Sequence, residues 1–163
     1  MMGWGLLVAM VVLIADQASK WWILNVLDLP SLGSVALLPV LNLTMVWNPG
    51  VTFGLLRQGS VVGTWILAAI AVAVVVALVF WMRRAERTLI AVALGAIAGG
   101  AIGNVIDRLR FGCVVDFIHA HAFGYSWYVF NVADAAIVCG VAVLLLDGLR
   151  PQRTRLQAPG VRQ

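Results

Sequence analysis

Of 163 residues, 63% are hydrophobic and 11% are charged, with a formal net charge of +4. A soluble domain is nearer half apolar and a quarter charged, so this composition excludes an ordinary water-soluble globule and implies one compact integral membrane domain. The basic excess sits in arginine clusters without interleaved aromatics, which argues for membrane topology and against a nucleic-acid surface.

Met1 to Ala15 is apolar, like the core of a secretory signal. No Lys or Arg precedes it, and the run continues without a cleavage site through Trp21, Trp22 and Ile23, so it reads as a retained span from about Trp4 to Val26. Its far end carries Asp16 and Lys20, four residues apart on one helical face and able to pair. Trp21 and Trp22 suit an interfacial belt.

A loop runs from Asp28 to Ser60, punctuated by Pro30, Ser31, Gly33 and Ser34. From Leu41 to Trp47 apolar and polar residues alternate, which predicts a strand. Asn48-Pro49-Gly50 is a turn, after which Val51-Thr52-Phe53 can return as a second short strand. Bare strands do not survive in lipid, so this predicts a small sheet at the membrane surface.

The second span, about Val61 to Met82, is aliphatic and reads as a lipid-facing wall; Arg83, Arg84 and Arg87 follow it. The third, about Thr88 to Ile106, carries Gly95, Gly99 and Gly103, a small-residue stripe that lets another helix approach. Asn104, Asp107 and Arg108 cluster at its end, with Asn104 and Arg108 on one face. A second outer loop, Leu109 to about Trp127, contains the strand-like Cys113-Val114-Val115-Asp116-Phe117-Ile118. The fourth span, about Tyr128 to Leu149, places Asp134 some seven residues in, roughly 10 Å along the helix. Arg150, Arg153, Arg155 and Arg162 mark the tail. Both basic clusters are expected to be cytoplasmic, which gives four spans, both termini inside and two outer loops. Residues 1–150 form the membrane domain, and the basic tail 151–163 is expected to be disordered.

A carboxylate inside a span costs on the order of 2.5–3.5 kcal/mol by insertion scales and usually has a job. Asp134 and Asp116 can face one cavity at the outer mouth. Two close carboxylates share a proton, and such a pair can activate water and protonate a leaving amine. Spacing alone leaves a proton relay or a structural role open. Cys113, Asp116, His119 and His121 invite a zinc reading. No His-Glu-x-x-His helix accompanies them, and the histidines neighbour interfacial Tyr125 and Trp127, so no metal is assigned. The two cysteines make no disulfide framework: Cys139 lies deep in the last span and Cys113 in a loop.

Five blocks, taken in order, resemble the bacterial lipoprotein signal peptidase (signal peptidase II) family. They are Asp16-Gln17-Ala18-Ser19-Lys20, Asn48-Pro49-Gly50-Val51-Thr52-Phe53-Gly54, the stretch from Gly99 to Arg108, Val114-Val115-Asp116-Phe117, and Phe130-Asn131-Val132-Ala133-Asp134. Val51-Thr52 departs from the two alanines frequent before that Phe. The resemblance implies a mainly α membrane fold, with four transmembrane helices and a small extracytoplasmic β-sheet cradle. It implies an aspartic endopeptidase of the inner membrane, cutting prolipoproteins before a diacylglyceryl-modified cysteine, among membrane lipids and without a cofactor. By position Asp116 and Asp134 match the catalytic pair. Asn48, Asn104, Arg108 and Asn131 match residues that line or brace the site, and Asp16 and Lys20 match its buried support. A small proton-coupled transporter or channel subunit is the alternative, since it too places acids in spans.

Overall fold

The computed structural model describes residues 1–50 and 61–149. The returning strand expected over Val51-Thr52-Phe53 and the basic tail lie outside these residues. Among the described residues, three helices are long and apolar enough to cross a membrane. They are α1 (Met2–Asn25), α3 (Val61–Arg83) and α4 (Thr88–Phe111); a fourth helix, α5, covers Val132–Gly148. A short α2 (Leu29–Leu32) leads into an open antiparallel sheet in the order β1-β2-β3-β4. Its strands are β1 (Ser34–Leu38), β2 (Leu41–Asn48), β3 (Val114–Ala122) and β4 (Tyr125–Ser126).

The central helix is α4, packed by α1, α3 and α5. Its glycine stripe faces α1: a Cβ at Gly95 would collide with the Gly5 backbone, one at Gly99 with Ala9, and one at Gly103 with the Asp16 carboxylate. The stripe is therefore a packing device, and it runs α1 parallel to α4 at close range. One end of the bundle gathers the α1 start, the α3–α4 turn and the α5 end, where Arg87 pairs with Asp147 and the Thr88 hydroxyl reaches the Met1 sulfur. The sheet sits at the other end. An apolar cluster of Leu78, Met82, Ala91, Leu94, Ile97 and Ala98 fills the first end, and Ile23, Leu29, Leu43, Val115 and Phe117 fill the space under the sheet. Between these clusters lies a layer of buried polar side chains.

α3 leaves Val62, Trp65, Ile66, Ile70, Val72, Val74, Val76, Phe80 and Trp81 exposed, as expected of a lipid-facing wall. Four boundaries differ from the sequence expectation. α4 continues through Asp107 and Arg108 to a left-handed Gly112 cap, φ 75°. β1 occupies a stretch read as loop, because Ser34–Leu38 is mostly exposed and lacks alternation. β3 runs on to Ala122. The fourth helix starts at Val132 instead of Tyr128. There the backbone is taken by β3: Trp127 N–H donates to Ala120 C=O (2.9 Å) and Phe130 N–H to Ile118 C=O (3.0 Å). Asp134 is consequently in the first helical turn, not seven residues along.

Candidate active site

The start of α5 builds the site. Asn131 is its N-cap, and its Oδ1 accepts the Asp134 N–H at 2.9 Å. The Asp134 Oδ2 accepts the Asn131 N–H at 3.3 Å, completing a reciprocal capping box. This satisfies helix-end donors that would otherwise be bare, and it fixes the Asp134 rotamer. A carboxylate here also meets the positive end of the helix dipole.

Asn131 Nδ2 donates to Asp116 Oδ1 at 2.7 Å, so a single side chain joins both aspartates. Asp116 arrives on β3, opposite Val46 of β2. Its second oxygen accepts from Asn48 Nδ2 at 2.8 Å. Asn48 is itself held by the Gly50 N–H at 2.9 Å; Gly50 sits at φ 87°, a turn conformation that a Cβ would strain. Asn104 of α4 donates to Asp134 Oδ1 at 2.8 Å. Its own oxygen accepts from Asn131 Nδ2 and Lys20 Nζ, both at 3.2 Å. Asp116 is 1% exposed, whereas Asp134 is half-buried, so approach is from the Asp134 side.

Behind this layer, Lys20 lies between two acids, Asp16 at 2.8 Å and Asp107 at 2.7 Å. All three are at most 2% exposed. With Asn104 as its third acceptor, the ammonium has a partner for each proton. The expected pairing of Asp16 with Lys20 is present. Two members of the network, Gln17 and Asp107, were not singled out as site residues by sequence reasoning. Gln17 Nε2 reaches Asp107 Oδ1 at 3.0 Å and Asp16 Oδ2 at 3.2 Å. The available clue was adjacency, since Gln17 neighbours Asp16 and Asp107 clusters with Asn104.

Burial pushes the Asp116 carboxyl up to about 6. The nearby Asp134 charge adds to the rise, while the amides of Asn48 and Asn131 and the charge of Lys20 oppose it. Burial also pushes the Cys113 thiol up, helped by Asp107 and Asp116, which leaves it a poor nucleophile. Among the described residues no three His, Cys, Asp or Glu side chains are grouped to hold a metal. Cys113 and His119 lie six residues apart along extended chain, roughly 20 Å. His119 instead bonds Ser126 Oγ at 2.5 Å and Thr44 Oγ1 at 3.3 Å.

Arg108 runs beside the acids. Its Nη1 donates to Asn104 C=O at 3.2 Å, and its buried Nε has no partner among the described residues. It lines a cavity of about 480 Å³ walled by Trp47, Pro49, Trp65, Leu109 and Phe111. A larger cavity of about 760 Å³ lies at the far end of the sheet among Val40, His121, Tyr125 and Trp127, and no acid among the described residues lines it.

The family model described as "Signal peptidase (SPase) II" matches residues 8–150. The chain belongs to the signal peptidase II family. Among relatives, it is 52% identical to the lipoprotein signal peptidase of Methylorubrum extorquens (strain PA1) over 147 residues, covering 90% of this chain and 86% of that one. It is 48% identical to that of Methylobacterium radiotolerans over 158 residues, covering 97% and 92%. Two solved structures of a bacterial membrane enzyme share the fold. One has a TM-score of 0.78 at 30% identity, covering 97% of this chain and 94% of that one. The other has a TM-score of 0.79 at 31% identity, covering 92% and 95%. The blocks that carried the signal peptidase II resemblance, from Asp16 to Asp134, all lie inside the matched region.

Proposed function

We propose that the chain performs the reaction its relatives are named for, removal of signal peptides from lipoproteins, as an aspartic endopeptidase. The observation that carries the aspartic reading is Asn131, whose one side chain bonds Asp116 and caps the helix turn holding Asp134. In this reading one carboxyl of the pair holds a proton and the other does not, and the titration belongs to the pair. The ionised carboxyl takes a proton from water, which attacks the scissile carbonyl carbon. The protonated carboxyl hydrogen-bonds the carbonyl oxygen. Collapse of the tetrahedral intermediate breaks the C–N bond, and the pair returns a proton to the amine of the lipidated cysteine. Arg108, whose side chain lines the cavity, holds a peptide carbonyl, and the apolar walls take the diacylglyceryl chains. The transporter alternative is not favoured by membership in a peptidase family.

Purified full-length enzyme should shift a diacylglyceryl-modified signal peptide substrate on a gel by the mass of the signal peptide, with chelator present. Chelator inhibition reversed by zinc would instead indicate metal-assisted hydrolysis. The same assay reads pH dependence. With Asp116 at about 6, the singly protonated pair loses its proton as pH rises through that value. The free-enzyme profile, kcat/KM, should therefore decline on its alkaline side from about 6 upward. Bound substrate expels water and holds the proton more tightly, so the alkaline limb of kcat should lie higher. A kcat/KM that stays flat through and well above pH 6 would remove the shared proton from the mechanism.

The proposed arrangement has four spans, both termini in the cytoplasm, the acids near the outer face of the inner membrane, and residues 1–150 as one domain. Arg83, Arg84 and Arg87 support it, because they lie at the end of the bundle opposite the sheet. α5, with 17 residues, is at the lower limit of a spanning helix. A reporter fused near Ala85 should behave as cytoplasmic and one near Gly33 as extracytoplasmic. The reverse at both sites would invert the map.

A further inference from the structure

Each aspartate of the proposed pair is preceded by a residue whose backbone N–H is held by a different, buried carboxylate. The Ala133 N–H, just before Asp134, donates to Asp16 Oδ1 at 3.0 Å. The Val115 N–H, just before Asp116, donates to Asp107 Oδ2 at 3.1 Å. The two supporting carboxylates are joined to each other twice, once through Lys20 Nζ at 2.8 and 2.7 Å and once through Gln17 Nε2 at 3.2 and 3.0 Å. A closed loop of bonds results. It runs from Asp116 through Val115, Asp107, Lys20, Asp16 and Ala133 to Asp134, and Asn131 closes it.

We propose that Asp107, linked to Asp16 through Lys20 and Gln17, is a positioning residue that sets the separation of the two reactive aspartates. The two come from different kinds of element, one a strand and the other a helix N-terminus. These are tied to each other on one side through the Ile118–Phe130 bridge and Asn131, and on the other side to the buried layer through Asp107 and Asp16. Asp107 is on α4 and Asp16 on α1, and the close approach of those helices at Gly103 makes the spacing of the supporting carboxylates rigid. The backbone bonds transmit that spacing one residue onward. The Ala133 N–H is a donor near the helix N-terminus with no partner inside α5, so Asp16 satisfies it without competing with the helix. Both backbone donors are charge-assisted, which makes them stiffer than neutral amide contacts. Asp107 touches neither water nor substrate in this scheme. Its effect is on geometry, and a misplacement of about 1 Å between reacting groups costs on the order of 10²-fold in rate.

The inference rests on the aspartic reading, and its test separates the two. Full-length Asp107→Ala and Asp107→Asn enzymes are assayed on the lipidated peptide beside Asp116→Asn and Asp134→Asn. Asp107→Ala should lower kcat on the order of 10²-fold with KM within about threefold, because substrate contacts are untouched. Asp107→Asn should recover at least about tenfold of that loss, since an amide oxygen still accepts the Val115 N–H. Unchanged kcat in Asp107→Ala, or Asp107→Asn as impaired as Asp107→Ala, overturns the proposal. If Asp107→Ala does not accumulate, Gln17→Met removes the second link, with a bond to the Gly103 carbonyl, and leaves the Lys20 link in place. A selective fall in its kcat supports the inference and an unchanged kcat overturns it. Activity in Asp116→Asn or Asp134→Asn would sink the aspartic reading itself, whatever Asp107 does.

Discussion

Asp116→Asn and Asp134→Asn should each reduce cleavage on the order of 10³-fold or more, and the double variant should be little worse than either single one. Neither half of a pair that shares one proton works alone, so the losses do not add. The changes are nearly isosteric. At Asp134 an amide oxygen can still accept the Asn131 N–H, so the helix cap persists, but the introduced NH₂ then faces the Asn104 amide donor. At Asp116 both oxygens now accept from asparagine amides, and an introduced NH₂ would face one of those donors. Both variants should therefore also lose stability, Asp116→Asn by about 1–3 kcal/mol because that site is fully buried, and Asp134→Asn by less because it is only half-buried. Turnover per folded molecule, with melting followed in parallel, separates the two effects. Full turnover in either variant would leave the two acids without a joint role.

Lys20→Met should be the most destabilising single change in the polar layer. It retains the length of the side chain but removes the cation between Asp16 and Asp107, which are 0% and 1% exposed. Removing one partner of a buried charge pair costs about 3–5 kcal/mol, and here two carboxylates lose the same partner. Steady-state amount in the membrane and the melting midpoint of extracted protein should both fall sharply. The loss should shrink in Lys20→Met combined with Asp107→Asn, since one of the stranded charges is then absent. Ordinary melting in Lys20→Met would mean that water reaches these carboxylates.

α1, α3 and α4 are legible in the sequence because their apolar runs are long and end in charge. The start of α5 is not. Trp127, Tyr128, Val129 and Phe130 are as apolar as the helix that follows, and hydropathy does not distinguish a strand-bonded aromatic run from a first helical turn. The sharper cue was Asn131 with an acid three residues on, a cap signature that outranks hydropathy at a boundary. β2 could be read from alternation over Leu41 to Trp47, nearly its full length; the bulge between Leu43 and Val46 that shifts its register against β3 could not. Asp116 and Asp134 were reachable as a candidate pair of acids near one mouth, and Asp16 with Lys20 and Asn104 with Arg108 from helical spacing, whereas Asn48 and Asn131 came only through the family blocks. Gln17 and Asp107 were passed over for a physical reason: their bond joins residues 90 apart, and helical periodicity carries no information at that range.

The position of Lys20 on the same helix as Asp16 bears on how the protein is made. α1 leaves the ribosome well before α4, with Asn104 lying 84 residues after Lys20. At roughly 5–20 residues per second, α1 waits for several seconds without its final partner. During that interval two opposite charges one helical turn apart neutralise each other, so the segment can be released into lipid as a nearly uncharged unit. The later arrival of Asp107 brings a negative charge to an ammonium that already has one partner. Assembly of the bundle is then an exchange of hydrogen bonds inside the bilayer, and no bare ion has to be carried into it.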